Sequence, residues 1–162
     1  MCEFDLRSGA LCPSCQRKLE RGEVTRLDID VLTALIDQRY QFLSNAEYAG
    51  SIRLRNKIFV ALRNLEASSQ EAAELSLQLS RRLKSLVRVL RDNRSFTDFL
   101  AEVLSPAKIL AINVVWLPDG TEETIITVDD ISKLQFPVED IIEVTRALKG
   151  RVIRIEKAAP RH

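Results

Sequence analysis

Leu83-Lys84-Ser85-Leu86-Val87-Arg88-Val89-Leu90-Arg91 is the stretch whose reading decides the fold. Residues 66–85 contain strong helix formers and neither Gly nor Pro, and Leu75, Leu79, Leu83 and Leu86 fall on one helical face. From Leu86 to Arg91 the pattern changes to an apolar run of strand length, with Arg88 and Arg91 set into it. The same succession closes the chain. Pro137 opens a helix whose apolar positions are Val138, Ile141, Ile142, Val144 and Leu148, Gly150 ends it, and Val152-Ile153-Arg154-Ile155 reads as a strand. Two helix-to-strand endings of unlike sequence point to one topology used twice.

The residues before each ending extend the parallel. Leu27, Val31, Leu32, Leu35, Ile36, Tyr40 and Phe42 or Leu43 keep helical spacing and predict a helix over 25–43. Residues 44–51 read as a connector with a weak strand near Ile52–Leu54, and Lys57–Arg63 as a firm strand. In the second pass Phe96, Phe99, Leu100, Val103 and Leu104 give a short helix stopped by Pro106. Lys108–Trp116 reads as a strand, Pro118-Asp119-Gly120 as a turn, and Glu122–Val128 as the antiparallel partner, before one helical turn at Asp129–Leu134. Phe59 and Trp116 are taken as core residues. Both passes run helix, strand, strand, short helix, helix, strand. The expected class is therefore α+β: two units at 25–93 and 94–157, each a three-stranded sheet with helices on one face. A Cys-rich head over 1–24 precedes them, and a disordered tail over 158–162 follows.

Composition narrows the function. The 162 residues are 46% apolar and 29% charged, the balance of a globular protein that leaves water only at its surface. No apolar run approaches the roughly 20 residues that cross a bilayer, and the start Met1-Cys2-Glu3-Phe4-Asp5 lacks the pattern of a signal peptide, so a cytoplasmic protein without a membrane partner is expected. The single histidine is His162, which excludes mechanisms needing an internal imidazole. No P-loop, Gly-rich dinucleotide turn, zincin motif or nucleophile elbow occurs. Asp119, Glu122 and Glu123 at a turn, with Asp129-Asp130 and Glu139-Asp140 at helix starts, are explained by turn and cap chemistry. An enzyme is not expected.

All three cysteines lie within the first fifteen residues. Cys12-Pro13-Ser14-Cys15 is a CxxC, and Cys2-Glu3-Phe4-Asp5 repeats its spacing with a carboxylate in the second place. Cys2, Asp5, Cys12 and Cys15 thus form a candidate ligand set for one structural zinc ion, since zinc takes thiolate and carboxylate donors in fours. Gly9 between the halves permits a reversal. A degenerate site, ordinary free thiols and a Cys12–Cys15 redox pair stay open as alternatives, the last without the preceding strand of a thioredoxin-type motif.

Charge is uneven although 24 Lys and Arg nearly balance 23 Asp and Glu. Residues 51–100 carry ten basic residues (Arg53, Arg55, Lys57, Arg63, Arg81, Arg82, Lys84, Arg88, Arg91 and Arg94) against five acids, whereas 101–148 carry three against nine. The basic group is a candidate surface for nucleic-acid phosphate, whose contacts dominate such affinities. Arg53, Arg55, Lys57, Arg81, Arg82, Lys84, Arg88, Arg91 and Arg94 are the expected contacts. Aromatics are only 6% and none falls within 81–94, so base stacking should contribute little.

The order of elements resembles the type II KH domain, an RNA-binding module. Two copies behind a cysteine head resemble the archaeal NusA-like transcription elongation factor family. The resemblance rests on Cys12-Pro13-Ser14-Cys15-Gln16-Arg17-Lys18-Leu19, Gly22-Glu23-Val24-Thr25, Leu86–Asp92 and Ile112-Asn113-Val114-Val115-Trp116-Leu117-Pro118-Asp119-Gly120. It implies binding of single-stranded RNA in transcription, with RNA polymerase or other transcription proteins as partners. The KH module clamps the RNA backbone with a GXXG loop. Neither loop survives here: Leu65–Glu74 and Asp129–Val138 contain no glycine, and the second opens on two aspartates. The alternative expectation is accordingly a protein-interaction module of the transcription machinery, a homo-oligomer among its forms.

Overall fold

A computed structural model of the chain describes residues 2–92 and 95–158. Arg94 and most of the expected tail lie outside the described residues. The chain divides into two compact units, Met1–Asp92 and Asn93–His162. The architecture is mixed α+β, with two three-stranded sheets and a cysteine-bearing head before them.

The first unit begins with two short helices, α1 (Glu3–Ser8) and α2 (Pro13–Glu20), then α3 (Arg26–Ile36). Thr25 caps α3 through a capping box with Asp28. The strand β1 (Glu47–Leu54) turns through Arg55-Asn56 into β2 (Lys57–Arg63), and α4 (Ser69–Leu83) leads to β3 (Leu86–Arg91). β1 and β2 are antiparallel while β2 and β3 are parallel, so β2 is central. All of Ile58–Leu62 is buried, which is why this strand reads as a continuous apolar run rather than an alternation. Ile58, Val60, Leu62, Val87 and Val89 pack with Val31 and Ala34 of α3 and with Leu75 and Leu79 of α4.

The second unit repeats this plan. It contains α5 (Phe96–Leu104), β4 (Ile109–Trp116), β5 (Glu122–Val128), a 3₁₀ turn at Ile131–Lys133, α6 (Val138–Lys149) and β6 (Ile153–Lys157). β4 and β5 are antiparallel, β5 and β6 parallel. Phe99, Leu100, Val103, Leu104, Ile126, Val128, Ile141, Val144, Ile153 and Ile155 are buried.

Four expectations are corrected. The predicted 25–43 helix stops at Ile36, and Gln41–Leu43 is a separate 3₁₀ turn. β1 is eight residues long, starting inside the supposed connector. The first unit has no short helix before α4; residues 64–68 join β2 to α4 directly. Trp116 is likewise no core residue: it is 71% exposed at the end of β4, whereas Phe59 is fully buried.

Candidate metal centre and basic surface

In the head, Cys2 is the N-cap of α1 and Asp5 its third residue; Cys12 is the N-cap of α2 and Cys15 its third residue. These are the two positions whose side chains fold over the same helix end. Each half of the motif therefore presents a pair of donors. Gly9, left-handed at φ 77°, ends α1 and reverses the chain so that the pairs meet. Pro13 at the first position of α2 fixes the second entry.

The four donor atoms lie within 4.8 Å of one another. Cys15 Sγ and Cys2 Sγ are 3.7 Å apart, and all three cysteines are free thiols. Zinc–sulfur bonds of about 2.3 Å in a tetrahedron set sulfurs about 3.8 Å apart. Asp5 Oδ2 accepts from the Cys12 N–H at 3.0 Å, tying one half to the other. Asp5 and Cys15 are buried, Cys12 is half-buried and Cys2 exposed. The Cys12 N–H, with help from the thiols, holds the Asp5 carboxyl below its ordinary range. That carboxylate in turn pushes the Cys15 thiol up to about 11. A cluster of this kind resists further negative charge until a cation enters it, whose attraction for the thiolates and the carboxylate outweighs their mutual repulsion. The four residues fit a metal ion by donor chemistry and by spacing.

Six of the basic residues expected to meet phosphate fall into two groups on the first unit. Arg53, Arg55 and Lys57 flank the β1–β2 turn, and Arg81, Arg82 and Lys84 end α4. Pairing brings these ends together: Lys57 is opposite Leu86, the Leu86 N–H donates to Asn56 O at 3.3 Å, and Arg53 Nη1 donates to Ser85 Oγ at 3.2 Å. Arg55 and Lys84 both hold positive φ, at 58° and 54°, which directs the chain sharply at both connections. Arg82 is committed to Asp37 at 2.6 Å. Arg53, Arg55, Arg81 and Lys84 are exposed and form no ion pair among the described residues.

Arg88 and Arg91 stand apart on β3, half-buried. Arg91 reaches across the sheet end, donating through Nη1 to Ala67 O at 3.0 Å and through Nη2 to Ser69 Oγ at 3.3 Å. It braces the segment where a phosphate-clamping loop was expected. There Ser68 Oγ accepts from the Glu71 N–H at 3.1 Å and the Glu71 carboxylate accepts from the Ser68 N–H at 3.0 Å. The first turn of α4 thus binds its own side chains and carries a negative charge.

In the second unit Asp129 braces the start of β4, accepting from the Lys108 N–H at 2.9 Å and from Lys133 Nζ at 3.0 Å, which hold its carboxyl down at about 2. Glu123 is buried beside the Arg154 guanidinium at 2.8 Å. Asp119 and Asp130 serve turns, accepting from Thr121 and Ser132.

No protein family matches the chain, and no curated protein does. Among solved structures, the crystal structure of APE1850 is similar in fold, with a TM-score of 0.52 at 15% identity over 72% of this chain and 92% of that one.

Proposed function

We propose that the protein binds single-stranded RNA through phosphate contacts made at one end of its first unit, by Arg53, Arg55, Arg81 and Lys84. One observation carries the reading: two segments separated by more than twenty residues deliver their cations to the same sheet end, and four of those side chains have no acidic partner among the described residues. Guanidinium and ammonium groups arranged so hold a backbone by charge and recognise no base, so binding should be weakly sequence-selective. The repeated helix, antiparallel pair, helix and parallel closing strand support a KH-like reading, and the cysteine head supports kinship with NusA-like transcription factors. Cys2, Asp5, Cys12 and Cys15 hold one structural zinc ion in this account, with all four positions filled by protein and none left open for a reaction. The protein is a binding module rather than an enzyme.

The self-capped start of α4 favours a second reading, in which RNA binding has been lost and the chain joins other proteins of the transcription machinery. A gel-shift with a generic single-stranded RNA separates the two. Retarded RNA at low salt, released at high salt and absent for Arg55→Glu/Arg81→Glu with unchanged circular dichroism, supports the first. Failure to bind RNA even at low salt sinks it.

A further inference from the structure

Four strand edges end the two sheets, and three are visibly managed. β1 carries Glu47 and Arg53. β3 carries Arg88 and Arg91, and its Val87 and Val89 N–H groups donate to Ser80 Oγ at 2.9 Å and Ser76 Oγ at 3.0 Å of α4, so a helix closes that edge. β6 carries Arg154, Glu156 and Lys157. Charge and cover of these kinds are what keep edge strands from pairing with other chains.

β4 has neither. From Ile109 to Pro118 there is no charged residue, and no residue of the strand is buried, against four of seven in β5. Leu110, Val114 and Trp116 are 57%, 50% and 71% exposed. The bulge between Ile109 and Ala111 disturbs only the beginning, leaving Ala111–Trp116 in regular register with β5 and its other edge unpaired among the described residues.

We propose that β4 pairs antiparallel with β4 of a second copy, joining two three-stranded sheets into one of six strands. Two features select this occupant. In a two-fold contact each residue near the axis faces its own copy, so any charge there would meet its like; this strand has none to meet. The ends are complementary: Lys108 precedes the strand, and Asp119 and Glu122 follow it. Antiparallel pairing sets the basic end of one copy beside the acidic end of the other, whereas parallel pairing would set like against like. Asp129, also near the beginning, is already bonded to Lys133.

Sedimentation equilibrium of the full chain over a concentration series tests the pairing, alongside Val114→Lys and Trp116→Lys. Both side chains are at least half exposed, so lysine there should leave the monomer folded, and circular dichroism checks it. The expected result is a monomer–dimer equilibrium for the unaltered chain, weakened at least tenfold by either substitution, with β4 amides protected from hydrogen exchange only at high concentration. A chain that stays monomeric at high concentration overturns the proposal. So does a dimer that both lysine variants retain, or one in which the β4 amides exchange freely. Because the basic surface lies in the other unit, loss of dimerisation with RNA binding intact and loss of RNA binding with dimerisation intact are separately readable.

Discussion

Asp5 does two things at once in the head: its carboxylate belongs to the donor set, and one oxygen accepts from the Cys12 N–H. Asp5→Ala should therefore weaken zinc binding at least as much as the roughly 10- to 100-fold lost with supporting residues of metal sites. Asp5→Cys should preserve or tighten it by completing a four-thiolate set. Competition against a chromophoric chelator measures both, and equal affinities across the series would remove Asp5 from the site. Asp129 allows a prediction of another kind. Its folded-state pKa, about 2, lies below the ordinary carboxylate value, so it stabilises the second unit above that ordinary value and the contribution disappears as pH falls toward 2. Acid melting followed at the Lys108 amide should show this loss between about pH 4 and pH 2, in the window set by the two pKa values. Asp129→Asn should flatten it, and an unchanged acid profile would assign the sensitivity elsewhere.

At the scale of elements, what could be read depended on whether a segment's own residues decide its conformation. α4, β2, β3, β4, β5, α6 and β6 are periodic or continuously apolar and were legible to within a few residues. β1 was half missed because Glu47, Ala49 and Gly50 are poor strand formers; its first residues are held by pairing with β2, which no local pattern announces. α1 and α2 are too short for periodicity, although the CxxC spacing that marks the metal centre is also what places each pair over a helix end. The basic residues were legible as a cluster but not as two groups: only the register of β2 against β3 shows that Lys57 meets Leu86 while Arg91 turns inward to Ala67 and Ser69. Least visible were Ser76 and Ser80. In a Leu-rich helix they look like neutral surface positions, yet they close the free edge of β3. Ser76→Ala should leave the Val89 N–H without its partner in a buried place and cost about 1–3 kcal/mol in denaturant melts. A loss within ordinary surface variation would mean that water replaces the hydroxyl.

For the molecule as a whole, the near-zero net charge conceals a cation-rich segment, residues 51–100, followed by an acid-rich one, residues 101–148. A uniform polycation would bind RNA anywhere along its surface, whereas the proposed RNA reading places the phosphate contacts at one end of the first unit and so predicts their number. With four exposed cations lacking acidic partners there among the described residues, Arg53, Arg55, Arg81 and Lys84, counterion release predicts that log affinity for single-stranded RNA falls with log salt at a slope of about −3. Raising salt from about 50 mM to 200 mM should then weaken binding on the order of 50-fold. Each single reversal among the four should reduce the slope by somewhat less than one, whereas Arg82→Ala should change it little, because that guanidinium is already given to Asp37. Titration by fluorescence anisotropy at several salt concentrations gives the slopes directly. A slope near zero would mean that bases rather than phosphates hold the RNA, and a slope far steeper would mean that cations beyond this sheet end take part.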